Sequence, residues 1–358
     1  LGFSAGSIGT LGMHLNKLPT PSFNTTPDCL TLHRKLKEWR DFGVRHVAME
    51  ASSHALSQGR MDGLRLEVAA FTNLSRDHLD YHGSMDAYLN SKLSLVNDLE
   101  PNYVLYNADD PSFLGRTEFS RPNTLSFSNQ QSEADIFCEL LSLSPRLRFR
   151  LNTPWGKREI CSTLLGDFNA FNLAMVIGIA VSAGVDFVEA ALACEALEPV
   201  LGRLQQVDGD ADIKVIIDYA HTPDALEHAI KALIEPNLSS ELWVVFGCGG
   251  DRDRGKRFEM GEVASRLADH VVITSDNPRT ESPEVIIKDI LEGCEGQEPK
   301  IQVDRAMAIR FALIEAATGD TVLIAGKGHE VHQELADSRI PFSDFDCARE
   351  ALQTRSAL

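Results

Sequence analysis

The sequence predicts an α/β protein of two domains, the second built on a doubly wound parallel sheet. The chain has 358 residues, more than one hydrophobic core usually supports. Strand and helix patterns alternate from Lys214 to Ala325, which is typical of parallel sheets. Glu198-Pro199 follows a helical pattern, and proline cannot continue a helix. We therefore predict domains of residues 1–199 and 200–358.

Composition excludes two kinds of partner. The formal net charge of −18 would repel nucleic acid. No run approaches the ~20 apolar residues that a membrane span needs, so we expect no membrane partner. Seven cysteines without a C-x-x-C pair fit reduced thiols. The sequence therefore predicts a soluble, cytoplasmic protein; it does not reveal the oligomeric state, for which our expectation is a monomer.

The stretch from Phe71 to Lys92 carries the most chemistry. Apolar residues up to Phe71 predict a buried strand, and hydroxyl, acidic and imidazole groups follow it, including His78. Ser84 is the predicted cap of a helix that carries Lys92. This segment alone also fits a solvated turn followed by a surface lysine.

A second apolar segment strengthens the functional interpretation. Residues 47–54, VAMEASSH, predict another strand that ends in acidic and hydroxyl groups. Adjacent strand ends would bring Glu50 and His78 together. One carboxylate and one imidazole suit Mg²⁺ bound mainly by phosphate and water oxygens.

The rest of the first half gives a clear sequence of elements. An amphipathic helix is predicted from Leu30 to Phe42, with Leu30, Leu32, Leu36 and Trp39 on one face. Further predictions are a strand at 103–106, an antiparallel pair around the turn at 154–156, and helices at 166–181 and 187–197.

The second half predicts four strands and four helices. The strands are at 214–217, 242–246, 271–274 and 321–325, and the helices are at 223–234, 258–267, 283–291 and 306–317. Residues 250–256 match the phosphate-loop pattern G-x-x-x-x-G-K. We reject that interpretation because Arg257 stands where Ser or Thr must bind Mg²⁺.

Together these motifs resemble the Mur ligases of peptidoglycan synthesis, and within them the tripeptide synthetases, over almost the whole chain. The resemblance implies a central ATPase-type α/β domain followed by a Rossmann-like doubly wound C-terminal domain. The central domain is expected to be truncated, because no G-x-x-x-x-G-K-[ST] loop precedes Leu1. We therefore expect this chain to be a piece of a longer enzyme and to be inactive alone.

The implied reaction is ATP-dependent addition of meso-diaminopimelate to UDP-MurNAc-L-Ala-D-Glu through an acyl phosphate, with Mg²⁺ as cofactor. The resemblance assigns metal binding and catalysis to Glu50, His78 and Lys92, the lysine as a carbamate, with Arg203 as a further catalytic residue. It assigns the nucleotide-linked acceptor to Thr25, Thr26, Ser52, Gln58 and Arg60. It assigns ATP to Asn169, Asn172, Arg203, Asp218 and His221, with the two asparagines at the adenine. Asp218, at the end of a strand, is also well placed to accept a ribose hydroxyl.

Other interpretations of three of these residues stay open. Asn169 is equally suited to capping a helix, and Arg60 to a surface position. His221 is a weak candidate for the base that accepts the amine proton.

The tetrapeptide Asp276-Asn277-Pro278-Arg279 predicts the incoming amino acid. An arginine at a strand end clamps a carboxylate with two parallel hydrogen bonds, and diaminopimelate carries a second carboxylate that lysine lacks. Asp276 and Asn277 are expected to contact an ammonium group. By resemblance, Arg252, Gly326 and Glu330 complete this site. Taken alone, D-N-P is also a common turn.

Three alternatives remain at the level of sequence. A lysine-adding ligase and a folylpolyglutamate synthetase are both disfavoured by the D-N-P-R tetrapeptide. A non-catalytic binding module is the third, because the phosphate loop is missing.

Overall fold

The structure is a computed structural model of the chain. It describes residues 2, 4–15, 18–20, 24–143, 146–208, 212–234, 240–296 and 298–356. The chain divides into two compact units. The first consists of Leu1–Leu74, Tyr81–Ser162 and Asn169–Leu197, and the second of Ser75–Asp80, Thr163–Phe168 and Glu198–Leu358. The predicted boundary lies two residues past Leu197, and it did not include the two short segments of the second unit.

The first unit and its borders contain ten described strands and six α-helices. The strands are β1 Ala5–Gly9, β2 Gly12–Leu15, β3 Leu18–Thr20, β4 His46–Met49, β5 Val68–Phe71, β6 Tyr103–Asn107, β7 Thr124–Ser128, β8 Ile136–Ser142, β9 Leu147–Thr153 and β10 Gly156–Ser162. The helices are α1 Cys29–Asp41, α2 Ser53–Ser57, α3 Leu79–His82, α4 Met85–Asn97, α5 Asp167–Ser182 and α6 Phe187–Glu195.

The second unit alternates strand and helix through most of its length. Its strands are β11 Gln205–Gln206, β12 Lys214–Asp218, β13 Leu242–Phe246, β14 His270–Ile273, β15 Lys300–Ile301, β16 Thr321–Ala325, β17 His332–Leu335 and β18 Ser338–Pro341. Its helices are α7 Pro223–Lys231, α8 Gly255–Leu267, α9 Pro283–Leu291, α10 Arg305–Glu315 and α11 Asp344–Arg355. The predicted α/β class and the alternation are confirmed.

Strands β4 and β5 belong to different sheets of the first unit. Among described strands, the two sheets have the orders β3-β2-β1-β4 and β10-β9-β8-β7-β6-β5. These two strands are therefore not hydrogen-bonded neighbours, and the prediction that their ends bring Glu50 and His78 together stays a prediction. Strand β4 is also shorter than the strand predicted at residues 47–54. It ends at Met49, because Ser52 caps α2 and turns the chain into a helix.

The core of the first unit confirms most of the predicted α1 face. Leu32 and Trp39 are buried in a cluster with Phe71 and Leu93. Leu30 is 75% exposed, so the prediction that Leu30 belongs to this apolar face is wrong. It lies at the start of the helix, where the N-cap Asp28 accepts the Thr31 N–H.

The sheet of the second unit separates two apolar layers. Its described order is β11-β12-β16-β13-β14-β15, and every pair except β11–β12 is parallel. Successive side chains of a strand point to opposite faces: Val244 packs with Met260 of α8, whereas Val245 packs with Ile309 of α10. Helices thus cover both faces, as a doubly wound sheet requires.

The β17–β18 hairpin and α11 are among the elements of the second unit that escaped prediction. The β17–β18 hairpin carries many polar residues, and α11 has few buried apolar positions. Helix α11 is held by the fully buried Arg305, which binds both carboxylate oxygens of Asp344 at the start of the helix, and the hairpin is held by the ion pair between Glu334 and Arg279. Within the described residues, no helix is long and apolar enough to cross a membrane.

Candidate active site

Lys92 lies on α4, which begins as predicted. The Ser84 side chain accepts the Ala87 N–H at 3.2 Å. The Lys92 ammonium lies 5.1 Å from the centroid of the Tyr88 ring, a contact that favours a cation. Carbamylation of Lys92 would remove this contact, because a carbamate is an anion.

A polar and aromatic group near Lys92 was missed by sequence reasoning. The Tyr88 ring stacks on His82, with centroids 5.2 Å apart, and His82 Nε2 lies 2.9 Å from Ser53 Oγ. The signal available in the sequence was the pair Tyr81-His82, which directly follows the pattern Asp-x-x-Asp formed by Asp77 and Asp80.

Glu50 follows β4 and is oriented by Thr10. Its carboxylate accepts the Thr10 hydroxyl at 2.8 Å and the Thr10 N–H at 3.2 Å. A Cβ at Gly9 would overlap Glu50 Oε1, so this close approach requires glycine. The carboxylate stays exposed and suits a hard cation.

The five residues predicted for the acceptor lie together in the first unit. The buried Thr26 hydroxyl donates to Glu50 O at 2.7 Å and lies 3.4 Å from Ser52 Oγ. Arg60 donates to Thr26 O at 2.9 Å and, through Nε and Nη2, to Gln58 Oε1. Thr25 Oγ1 lies 3.3 Å from Thr10 Oγ1. Arg60 is therefore held by specific contacts and is not a loose surface residue.

The two asparagines predicted for adenine lie three positions apart on α5, so they share one face of the helix. The helix begins at Asp167, so the alternative that Asn169 is its cap is wrong. A Cβ at Gly178 would lie 2.6 Å from Ile136 Cδ1. Glycine there lets α5 lie close to the sheet.

Asp218 ends β12 and organises the turn that carries Arg203. Its two oxygens accept the N–H groups of Leu204 and Ala220, both at 2.7 Å. Burial raises the pKa of Asp218, against the lowering effect of these hydrogen bonds and of Arg203. The Arg203 guanidinium carbon lies 4.8 Å from the centroid of the Tyr219 ring. Asp218 thus positions Arg203, and its predicted ribose contact stays a prediction.

His221 is engaged at both ring nitrogens. Nδ1 lies 2.9 Å from Tyr219 O and Nε2 lies 3.8 Å from Asp77 Oδ2. Burial opposes ionisation of Asp77, but the His221 contact and the charges of His78 and Lys256 outweigh it and lower the pKa of Asp77. Nδ1 is within hydrogen-bond distance of a backbone oxygen, whereas Nε2 only approaches a carboxylate, and the role of His221 as the base stays a prediction.

The loop after β14 meets the loop after β16. Asn277 Oδ1 accepts the Lys327 ammonium at 2.9 Å, and Asn277 Nδ2 donates to Glu330 Oε2 at 2.9 Å. Lys327 is fully buried and also donates to Glu330 Oε2 at 2.7 Å. Both ends of the Asn277 amide thus support the two loops, and its predicted contact with an ammonium group of the ligand stays a prediction.

Glycine is needed where these loops approach. Gly326 has φ +117°, and a Cβ there would lie 2.7 Å from Asp276 Oδ2. Asp276 is buried and lies 4.0 Å from Arg305. Gly326 therefore works by leaving space for the Asp276 carboxylate.

Arg279 stands at the edge of this network. Its Nε donates to Glu334 Oε2 and its Nη1 to Gly250 O, both at 2.9 Å. Gly250 belongs to the loop of Arg252, and a Cβ at Gly249 would lie 3.0 Å from Arg279 Nη1 and 3.8 Å from Arg252 Cγ. The six residues predicted for the amino acid thus gather at the carboxyl edge of one sheet, where α/β proteins bind ligands.

Comparison with known proteins identifies the family. Residues 1–180 match the Mur ligase middle domain, and residues 202–328 match the Mur ligase, glutamate ligase domain. The chain belongs to the Mur ligase family.

The relatives of this Mur ligase share one name. The UDP-N-acetylmuramoyl-L-alanyl-D-glutamate–2,6-diaminopimelate ligase of Chromobacterium violaceum is 42% identical over 356 residues, which cover 98% of this chain and 72% of the relative. The ligase of the same name from Gloeobacter violaceus is 43% identical over 355 residues, covering 98% and 72%.

Solved structures agree with the fold. A ligase of that name is 38% identical, with a TM-score of 0.66, over 99% of this chain and 73% of its own. Mycobacterium tuberculosis folylpolyglutamate synthase gives a TM-score of 0.68 at 16% identity, over 91% of this chain and 82% of its own. The second match shows likeness of fold alone.

The loop that mimics a phosphate loop has another role in this Mur ligase. Arg257 is fully buried and binds Glu281 and Asp289 at 2.8 Å each. The Arg257 hydrogen bond lowers the pKa of Glu281 to about 2. Arg257 therefore anchors the loop of Arg252 through two ion pairs, a role that the sequence did not indicate.

The predicted metal ligands are divided between the units. Glu50 and Lys92 belong to the first unit and His78 to the second. Across the described residues, no three His, Cys, Asp or Glu side chains are grouped to hold a metal ion. That Glu50, His78 and Lys92 share one Mg²⁺ stays a prediction.

Proposed function

We propose that this Mur ligase joins meso-diaminopimelate to UDP-MurNAc-L-Ala-D-Glu at the cost of ATP. The observation that carries the proposal is the Arg279–Asn277–Glu330 arrangement of the second unit. Its relatives, named as diaminopimelate ligases, support the same substrate. We also propose that it acts as a cytoplasmic monomer, in keeping with its seven free thiols.

The far end of diaminopimelate carries a carboxylate and an ammonium group. Within the described residues, Arg279 Nη2 has no hydrogen-bond acceptor, and Glu330 Oε1 has no donor. A guanidinium N–H pair suits the carboxylate, and the open carboxylate oxygen suits the ammonium. Lysine lacks this carboxylate and would leave the Arg279 guanidinium unpaired. An unpaired polar group in the site discriminates between substrates more strongly than a lost apolar contact does.

The reaction has two steps. An oxygen of the D-glutamate side-chain carboxylate attacks the γ-phosphorus of ATP, and ADP leaves. The diaminopimelate amine then attacks the carbonyl carbon of the acyl phosphate, the C–O bond to phosphate breaks, and the amine loses a proton. Arg60, Gln58 and the Thr26 region hold the acceptor, and Asn169 and Asn172 contact the adenine.

The first unit offers donors for Mg²⁺. Glu50, oriented by Thr10, would hold the ion together with His78 and a carbamylated Lys92. When bound, Mg²⁺ neutralises the negative charge that accumulates as carboxylate and triphosphate meet. Arg203, fixed by Asp218 and Tyr219, contributes positive charge to the same phosphates.

The test is ADP release by protein that carries the preceding glycine-rich loop. We expect release only when UDP-MurNAc-L-Ala-D-Glu and diaminopimelate are both present, with a much slower rate for lysine. Binding of diaminopimelate without ADP release would favour the binding module, and equal rates for both amines would favour another ligase of the superfamily.

A further inference from the structure

The β17–β18 hairpin forms the support of the loop that carries Arg279. The Glu334 N–H donates to Asn277 Oδ1 at 2.9 Å, and Glu334 O accepts the Arg279 N–H at 3.1 Å. Gln333 Nε2 donates to Asp276 O. The backbone of Glu334 thus contacts two residues of the tetrapeptide at once, and no motif in the sequence indicated this.

The Glu334 carboxylate bridges two arginines. Its Oε2 accepts Arg279 Nε at 2.9 Å, and its Oε1 accepts Arg339 Nη2. Arg339 is the residue directly opposite Glu334 in the hairpin register. His332 Nε2 lies 3.8 Å from the same Oε1. The arrangement is therefore built by cross-strand pairing.

The charge of this group decides whether it attracts an anion. Arg279 and Glu334 alone would form a neutral pair, which has little attraction for a third, negative group. Arg339 makes the group of three positive by one charge. Burial opposes ionisation of Glu334, but the charges of Arg279 and Arg339 outweigh it and lower its pKa, so Glu334 keeps its negative charge.

The contacts of Arg279 leave one part of its guanidinium for a ligand. Nε is used by Glu334 and one Nη1 hydrogen by Gly250 O. One hydrogen on Nη1 and both on Nη2 have no acceptor in the described part of the chain, and they form the end of the planar fork. The backbone of Arg279 is left-handed, with φ +51°, so its placement depends on the hairpin.

We propose that Glu334 is a positioning residue for selection of the amino acid: it fixes the Arg279 fork toward the second carboxylate of the ligand, and Arg339 keeps the group positive. The inference rests on the proposed function. According to this proposal, the β17–β18 hairpin contributes to the selection of diaminopimelate over lysine.

The test is calorimetric titration of the 358-residue chain with meso-diaminopimelate and with lysine. Glu334→Ala is expected to weaken diaminopimelate binding about tenfold with little effect on lysine. Glu334→Gln keeps an oxygen for Arg279 Nε and is expected to restore most of the affinity. Arg339→Gln is expected to weaken binding about threefold, and Arg339→Lys to recover it in part.

Arg349→Gln is the matched control, because Arg349 pairs with Asp346 on the surface of α11. The inference is overturned if Glu334→Ala leaves the affinity ratio unchanged while Arg279→Ala lowers it, or if Glu334→Gln is as weak as Glu334→Ala. The proposed function itself fails if the unsubstituted chain binds no diaminopimelate, or if Arg279→Ala leaves the ratio unchanged.

Discussion

Two lysines of this Mur ligase occupy opposite surroundings. Lys327 in the second unit is fully buried, and its ammonium binds Asn277 and Glu330. Lys92 in the first unit is half-buried, with its ammonium over the Tyr88 ring. A buried ion pair requires the ammonium form, whereas a ring contact is worth only about 0.5–2 kcal/mol. The buried contacts of Lys327 place it in the support of the second unit, whereas a reactive amine at Lys92 remains our proposal.

The same contrast holds for the regions around them. The loops that follow β14 and β16 are joined by a closed network of buried amide, carboxylate and ammonium groups. Around Glu50 the carboxylate is exposed and its contacts come from one threonine. The polar groups of these second-unit loops are thus bound to one another, whereas the Glu50 carboxylate of the first unit is left exposed.

Replacing Lys92 tests the reactive side of the contrast. Lys92→Ala in protein that carries the preceding loop is expected to lower ADP release by about a thousandfold, because alanine cannot form the proposed carbamate. Added bicarbonate should not restore activity. Lys35→Ala is the control, since Lys35 lies over the Trp39 ring on α1 in a similar way. Full activity of Lys92→Ala would refute the carbamate.

Replacing Lys327 tests the supporting side. Lys327→Met is expected to lower the free energy of unfolding by about 3–5 kcal/mol, because it leaves a carboxylate partly buried and unpaired. Urea denaturation of the chain measures this loss. Lys288→Met, on the exposed face of α9, should change it little. Equal stability of the two variants would show that the network contributes nothing.

Arg279 is the residue that we propose to connect the supporting network with the ligand. Arg279→Ala is expected to reduce the preference for diaminopimelate over lysine by about 2–5 kcal/mol, the effect of an unpaired charged contact. The ratio of the two kcat/KM values measures it, with Arg349→Ala as control. An unchanged ratio would separate Arg279 from selection.

The smallest expected effect is a pH dependence in the anchor of the Arg252 loop. The Arg257 hydrogen bond lowers the pKa of Glu281 from 4.5 to about 2. A depressed folded-state pKa gives stability that is present above pH 4.5 and lost as the pH falls toward 2. Urea unfolding over this range should show a shallower loss for Glu281→Gln than for the natural chain. Glu292→Gln, at an exposed site, should follow the natural chain, and identical curves for all three would contradict the ion pair.

Local patterns predicted much of the fold. The continuous apolar run of Leu242–Phe246 and the Ser84 cap of α4 both appear where they were expected. These features depend on neighbours in sequence, so the sequence reveals them. The hairpin partners Glu334 and Arg339 gave no such signal, because their importance comes from Arg279, 55 and 60 positions earlier in the chain.

The sequence by itself determined the strand–helix alternation, the positions of the polar loops after the strands, and the residue types available for carboxylate and ammonium recognition. Only the tertiary structure decided which of those groups are already engaged: Asn277 and Asp218 in support, Arg279 and Glu330 with atoms left for a ligand. The reason is that a polar side chain satisfies its hydrogen bonds with whatever the fold brings within about 3 Å, and loop contacts across a parallel sheet are not encoded in any local pattern.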